Sequence, residues 1–129
     1  MRALSKSKIL AYRQCPRRLW LEVKRPDLRE DSGDTQTRYH VGHSVGEIAR
    51  RIYDPNDRWS LIDVDTEGFD GAFARTQALL AGRRGIFEAG FKAAGGLAFA
   101  DVLLPVKRRE RPMWRMVEIK ASTLVKDYL

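Results

Sequence analysis

Three apolar segments joined by two short polar links make up the last third of the chain, and they constrain its fold more than any other feature. The segments run over residues 86–92, 97–106 and 113–121, and the links over residues 93–96 and 107–112. Both links have the length of hairpin connections. The pattern therefore predicts three consecutive strands that pair as hairpins.

The rest of the chain is predicted to be mostly helical. Ser5 or Ser7 is a candidate cap for a first helix, which Cys15-Pro16 bends or restarts and Pro26 ends. We further expect a polar loop at 29–35, a helix at 37–53, a short strand at 59–64, a helix at 73–81 and another helix from about Ser122. The order predicts one α/β domain over residues 1–129, in which a basic helical N-terminal segment (1–28) precedes a mixed sheet with three of its strands at 85–121.

Composition limits the broad class of protein. With 43% hydrophobic and 32% charged residues, the chain has the composition of a soluble globular domain. It has no run of about 18 apolar residues and no apolar signal core after Met1, so we expect no membrane partner and a cytoplasmic location. The single cysteine, Cys15, cannot form an internal disulfide, which agrees with a reducing compartment.

The net charge of +7 is concentrated near the N-terminus. Residues 1–29 contain nine Lys/Arg against two acids, whereas the following residues carry fifteen of each sign. A localised positive field suits a polyanion, because each neutralised phosphate releases counterions. A nucleic acid is therefore a candidate partner, and a solvated basic helix is the alternative interpretation. The candidate phosphate contacts are Arg13, Arg17, Arg18, Lys24 and Arg25.

Charged side chains lie inside the apolar segments, where an ionised group costs free energy unless it is paired, hydrated or bound to metal. If the two hairpins turn through their polar links, Asp101 faces Glu118 on one side and Glu88 on the other. Strand alternation places Lys120 on the same face as Glu118. Three carboxylates and one lysine would then meet on one patch, although a register slip of one residue would scatter them.

The residue types of this patch point to metal-assisted phosphodiester hydrolysis. Carboxylate oxygens bind hard divalent cations such as Mg²⁺ or Mn²⁺, and a bound metal activates water and stabilises charge that develops on a phosphate. Lys120 could hold the attacking water or a phosphate oxygen. A ladder of surface ion pairs on an exposed sheet face is the alternative interpretation.

Several segments resemble the RecB-like branch of the PD-(D/E)xK nucleases. Residues 4–21 (LSKSKILAYRQCPRRLWL) look like the opening motif of the RecB/AddB-type and CRISPR-adaptation nucleases. Residues 99–103 (FADVL) and 117–122 (VEIKAS) look like the family's strand aspartate and its Glu-Ile-Lys strand. The likeness extends to residues 42–49 and 86–89, and so covers most of the chain.

The resemblance implies a restriction-endonuclease-like core and a metal-dependent deoxyribonuclease that takes part in DNA repair or defence. It implies that Asp101 and Glu118 are metal ligands, together with the backbone carbonyl of Ile119, and that Lys120 is the catalytic lysine. Glu88 is a further candidate ligand. DNA is the implied substrate, and a helicase or another subunit of a nuclease complex is an implied partner.

The chain departs from the family pattern in three places. Gly46 stands where many relatives have a metal-binding histidine, and we interpret the nearby His43 as a surface residue. The family's next helix and strand are expected after Tyr128, so the chain is interpreted as a fragment, a truncated gene or an isolated domain. Cys15 corresponds to only one of the four cysteines that hold an iron–sulfur cluster in some relatives, so we expect no cluster.

These departures keep a second function open, a non-catalytic nucleic-acid-binding domain that retains the fold without a complete metal site. A third possibility is a structural or regulatory module whose charged sheet face docks a partner protein. Two smaller expectations concern packing: Cys15 is predicted to be a small buried residue, and Trp20, Trp59 and Trp114 are predicted to be core or half-buried.

Overall fold

The computed structural model describes residues 3–30 and 33–122, and within these ranges the chain is an α/β protein with four α-helices and a four-stranded sheet. The helices are α1 (Lys6–Gln14), α2 (Pro16–Lys24), α3 (Gly33–Tyr53) and α4 (Val64–Leu80), and a short 3₁₀ helix covers Pro26–Leu28. The strands are β1 (Ser60–Leu61), β2 (Ile86–Ala93), β3 (Gly96–Arg108) and β4 (Arg111–Val117). None of the helices in these ranges has the length and apolar character needed to span a membrane.

The N-terminal helices begin and end where the sequence predicts. Ser5 is the N-cap of α1, and its hydroxyl accepts a hydrogen bond from the backbone N–H of Lys8 at 3.4 Å. Cys15 adopts an extended backbone conformation, and Pro16 opens α2 at the first helical position, where its missing N–H costs nothing. The predicted break at Cys15-Pro16 and the predicted end at Pro26 are therefore confirmed.

The start of α3 differs from the prediction. This helix begins at Gly33, so residues 33–35 are helical and not part of a loop. The first turn has no apolar periodicity in the sequence, and the Thr37 hydroxyl donates to the carbonyl of Gly33 there at 3.2 Å. The helix expected from about Ser122 lies outside the described residues.

The start of α4 also differs from the prediction, because a capping motif at Asp63 and Glu67 begins the helix earlier. The Asp63 carboxylate accepts from the Asp65 N–H at 3.1 Å, and the Glu67 carboxylate accepts from the Asp63 N–H at 3.0 Å. These reciprocal bonds begin the helix at Val64, so the strand predicted over 59–64 is reduced to Ser60–Leu61. Gly68, at φ 69° and ψ 170°, then interrupts the helical backbone.

The sheet has the order β1-β2-β3-β4, in which β1 is parallel to β2 and the other neighbours are antiparallel. The predicted register is confirmed in both hairpins, since Lys92 pairs with Leu97 and Val106 pairs with Met113. Strand β4, however, ends at Val117 and not at residue 121. The segment 118–120, which carries the predicted acid and lysine, therefore follows the strand and is not part of it.

The core lies between the sheet and α4. Its buried residues are Ile62, Ala72, Ile86, Ala89, Ala100 and Leu103. Thr76 of α4 is fully buried, accepts a hydrogen bond from the Gly90 N–H at 2.9 Å and donates to the Ala72 carbonyl at 2.8 Å. These bonds join the helix to β2.

Two packing predictions require correction. Cys15 is exposed and not buried, because it lies in the extended junction between two solvent-facing helices. Trp20 is 56% exposed, because α2 buries none of its residues fully. Trp59 and Trp114 are half-buried as predicted, and the Trp59 ring packs on Phe87 with ring centroids 5.2 Å apart.

Candidate active site

A small cleft lies where α3 passes over the sheet. Its volume is about 120 Å³. The α3 wall is formed by Gly42, Val45, Gly46, Ala49 and Arg50, and the opposite wall by Phe87, Glu88, Asp101, Val102, Ile119 and Ala121. Three of the four predicted ligand residues line this cleft: Glu88 and Asp101, which carry carboxylates, and Ile119.

Glu88 has an irregular backbone in the middle of β2. Its neighbours Phe87 and Ala89 pair with Val102 and Ala100, so the register places Glu88 opposite Asp101. Its φ of 56° lies in the left-handed region, which costs a non-glycine residue about 1–3 kcal/mol. Such a local irregularity in a strand often changes the direction in which a side chain points, and irregularities of this kind are frequent next to active sites.

The environment of Glu88 disfavours its ionised form. Burial raises the pKa of its carboxyl group, and the negative charges of Asp101 and Glu118 raise it further. Arg50 and His43 act in the opposite direction, without reversing the shift. Burial is the largest of these causes, and the nearby carboxylates add to it.

Asp101 connects β3 to the segment that follows β4. Its Oδ2 accepts a hydrogen bond from the backbone N–H of Ile119 at 2.5 Å. This bond lies just beyond Val102 and Val117, the last pair of the β3–β4 ladder. Asp101 therefore holds residues 118–120 against the sheet after regular strand pairing has stopped.

Glu118 is bound by two lysines. Its Oε1 accepts from Lys120 Nζ at 2.5 Å and from Lys6 Nζ at 2.7 Å. Burial raises the pKa of the Glu118 carboxyl group, but the two ammonium groups outweigh it, and the pKa is lowered overall. The Glu118 carboxylate correspondingly raises the pKa of Lys120. Glu118 and Lys120 thus lie together, although residues 118–120 follow β4 and strand alternation does not place them. Lys6 is an addition that the sequence pattern did not reveal.

The donor set suits a divalent cation by type, but it is not gathered around one point. Across residues 3–30 and 33–122, no group of three or more His, Cys, Asp or Glu side chains is spaced to hold a metal ion. Glu88 and Asp101 share the cleft, whereas Glu118 is engaged by its two lysines. The mutual repulsion that raises the Glu88 pKa is what a hard cation would relieve.

Position 46 faces the cleft, and an arginine lies beside it. Gly46 is among the lining residues, and a Cβ added there would be 3.8 Å from Nη1 of Arg50. The Arg50 guanidinium therefore lies next to the space that a side chain at position 46 would enter. His43 is exposed, as predicted for a surface residue.

The predicted phosphate contacts form an exposed basic surface around α1 and α2. The side chains of Arg13, Arg17, Arg18, Lys24 and Arg25 are all exposed. Arg17, Arg18 and Arg25 line an open groove of about 700 Å³. Arg18 is paired with Glu22 and Arg25 with Asp27, each at 2.8 Å, so part of this charge is already neutralised.

Comparison of the chain with protein-family models, curated proteins and solved structures finds no match. The resemblance to RecB-like nucleases therefore stays a prediction from motifs.

Proposed function

We propose that this chain carries the catalytic core of a Mg²⁺- or Mn²⁺-dependent deoxyribonuclease with a restriction-endonuclease-like fold of the RecB-like PD-(D/E)xK type. The observation that carries the proposal is that Glu88 and Asp101 share one cleft with Ile119 in its wall, and that Glu118 and Lys120, the chain neighbours of Ile119, are in contact with each other. The sequence motifs favour the same assignment independently of this geometry.

The proposed roles follow from the position of each group. Glu88, Asp101 and Glu118 would supply carboxylate oxygens to the metal, and Ile119 its backbone carbonyl. When bound, the cation would supply Lewis acidity to a phosphate and lower the pKa of a water molecule. Lys120 would orient the attacking water or a phosphate oxygen, since Glu118 already holds its ammonium group and Lys120 follows Ile119 of the cleft wall directly in the chain.

The charge distribution supports a nucleic-acid substrate. The exposed arginines of α1 and α2 provide a positive surface, on the same N-terminal segment that sends Lys6 to Glu118. Such a surface attracts the phosphate backbone without regard to sequence. Association with a helicase or another subunit of a nuclease complex, and a cytoplasmic location, are further proposals that rest on the family resemblance and the composition.

A second candidate function is nucleic-acid binding without catalysis. Two observations favour it: Glu118 is held by two lysines, and the described residues contain no three-ligand group with metal spacing. In this alternative, the basic surface binds DNA while the cleft remains without metal.

A cleavage assay separates the two functions. Linear and circular DNA, single- and double-stranded, would be incubated with the protein in Mn²⁺ and in EDTA, alongside Lys120→Ala. Lys107→Ala, in the exposed β3–β4 hairpin, removes the same charge away from the cleft. We expect cleavage in Mn²⁺ that Lys120→Ala reduces by about 100-fold or more and Lys107→Ala leaves intact. Metal-independent binding without cleavage would select the second function instead.

A further inference from the structure

Lys6 joins the N-terminal segment to the candidate active site. Its Nζ lies 2.7 Å from Glu118 Oε1, the same oxygen that Lys120 Nζ approaches at 2.5 Å. The contact spans almost the whole chain, since residues 6 and 118 are 112 positions apart. We consider these three side chains as one group, the Lys6–Glu118–Lys120 cluster.

The backbone fixes the position of Lys6. The Leu4 N–H donates to the Gly95 carbonyl at 2.9 Å, and the Leu97 N–H donates to the Leu4 carbonyl at 2.9 Å. Leu4 is thereby bridged in parallel to the start of β3, and Ser5 then caps α1. The Leu4 bridge and the Ser5 cap together fix the backbone just before Lys6, so the approach of Lys6 to Glu118 does not depend on the ion pair alone.

The cluster carries an excess of positive charge. Two ammonium groups share one carboxylate oxygen, and this leaves the cluster with one net positive charge and, among the residues that the structure describes, several N–H donors without an anion. All three side chains are solvent-accessible, with exposed fractions of 54% for Lys6, 38% for Glu118 and 52% for Lys120. An exposed ion pair adds little to folding stability. The cluster therefore contributes little to folding stability, and its excess positive charge suits the binding of a second anion.

We propose that Lys6 is a substrate-binding residue that contacts a backbone phosphate of the nucleic acid beside the cleft. The proposal rests on the proposed function for the identity of the ligand. In it, Lys6 and Lys120 bracket Glu118 and offer their remaining donors to one phosphodiester anion, which holds the strand next to Asp101 and Glu88. None of the arginines of the basic surface is required for this contact.

A comparison of two lysines on α1 tests the proposal. Lys6→Ala removes one of the two cations of the cluster. Lys8→Ala removes an equal charge two residues away, and the Lys8 ammonium group donates to the Ala3 carbonyl at 2.9 Å. Affinity for duplex and single-stranded DNA would be measured in EDTA over a range of salt concentrations. Lys6→Arg retains a cation at position 6, and circular dichroism confirms that each variant is folded.

We expect Lys6→Ala to weaken binding several-fold and to lower the slope of log affinity against log salt by about 0.9 for duplex DNA or about 0.7 for single strands, the change for one phosphate contact. Lys6→Arg should recover most of the affinity, and Lys8→Ala should leave the slope unchanged. Equal losses in Lys6→Ala and Lys8→Ala, or no binding by the wild type, would overturn the proposal.

The outcome is separable from that of the cleavage assay. Binding that depends on Lys6, without cleavage in Mn²⁺, would support the phosphate contact and count against the nuclease function. Cleavage in Mn²⁺ by the wild type, together with equal DNA affinity of Lys6→Ala and Lys8→Ala, would support the nuclease function and count against the phosphate contact.

Discussion

At the scale of single residues, Glu88 combines two unfavourable features in the middle of the sheet. It has a left-handed backbone conformation, and its carboxyl group lies beside Asp101 and Glu118 in a partly buried cleft. A sequence selected for stability alone would place glycine or an apolar residue there. The cost is understandable if the side chain has a role in binding a cation.

Replacing Glu88 with glutamine should stabilise the metal-free protein at neutral pH. Its pKa is raised above the ordinary 4.5, so the folded state binds the proton more tightly than the unfolded state. Stability contributed by the protonated group is therefore lost as pH rises from about 4.5 through the raised pKa. We expect Glu88→Gln to gain about 0.5 kcal/mol at pH 7, kept small because solvent screens a half-buried group.

Urea unfolding at pH 5 to 7 in EDTA would measure this effect, and the gain should shrink as the pH is lowered. Glu47→Gln, which removes an exposed carboxylate from α3, controls for the change in net charge. The interpretation of Glu88 is wrong if both variants have the same free energy of unfolding at pH 7.

Residue spacing was sufficient to predict some of the site and not the rest. The register that places Glu88 opposite Asp101 could be predicted because a short link leaves little freedom in the β2–β3 hairpin, whereas Glu118 lies beyond the end of β4 and outside the predicted pairing. The ion pair of Lys6 with Glu118 could not, because it depends on Leu4 bridging to the turn between β2 and β3. No local pattern in the sequence encodes such a long-range backbone contact.

At the scale of secondary-structure elements, the ends of elements were harder to predict than their existence. β4 stops at Val117, since the Asp101 side chain takes the Ile119 N–H that regular pairing would use otherwise. α4 starts early because Asp63 and Glu67 cap it. In both cases a side chain decides the boundary, while apolar periodicity reports only the interior of the element.

Alanine substitutions at two glycines should change the free energy of unfolding in opposite directions, because Gly90 is tightly packed and Gly42 is not. A Cβ at Gly90 would lie 2.7 Å from Phe99 Cε1 and 3.0 Å from Phe73 Cδ1, so Gly90→Ala should destabilise the protein by about 1–3 kcal/mol. Gly42 on α3 has no atom within 4 Å of an added Cβ, so Gly42→Ala should stabilise it by up to about 1 kcal/mol.

Chemical denaturation followed by circular dichroism would compare both variants with the wild type. If Gly90→Ala were as stable as Gly42→Ala, the contact between α4 and the sheet would not be as close as described.

At the scale of the whole molecule, positive charge and the carboxylate cleft belong to different parts of the fold. The basic surface lies on α1 and α2, and the cleft lies between α3 and the sheet. Lys6 connects the two regions. In the proposed function, this division would separate strand binding from chemistry, so that each could be weakened by substitution without the other.

The charges of the basic surface should not contribute equally to DNA affinity. Arg17 and Lys24 are exposed and form no ion pair in the structure's described part, whereas Arg18 and Arg25 are paired with acids. We expect Arg17→Ala combined with Lys24→Ala to lower the salt slope by about 1.8 for duplex DNA, twice the value for one contact. Arg18→Ala combined with Arg25→Ala should lower it less, because each of these arginines would first have to leave its carboxylate.

Salt titrations of DNA binding in EDTA would compare the two double variants, which have the same net charge. A larger loss in Arg18→Ala/Arg25→Ala would contradict this ranking.

The most direct test of the proposed nuclease is the rate of DNA cleavage during a Mn²⁺ titration of the wild type and Asp101→Asn. Asparagine can still accept the hydrogen bond from Ile119 but cannot supply a carboxylate, and Asp70→Asn, exposed on α4, is the matched control. We predict Mn²⁺-dependent cleavage by the wild type and by Asp70→Asn. Loss of a group that only supports a metal ligand typically lowers metal affinity or activity by roughly 10- to 100-fold. Asp101→Asn removes a proposed ligand itself, so we expect its cleavage activity to fall by at least that factor. Cleavage by Asp101→Asn at the wild-type rate, or none by the folded wild type at any Mn²⁺ concentration, would contradict a metal-dependent active site in this cleft.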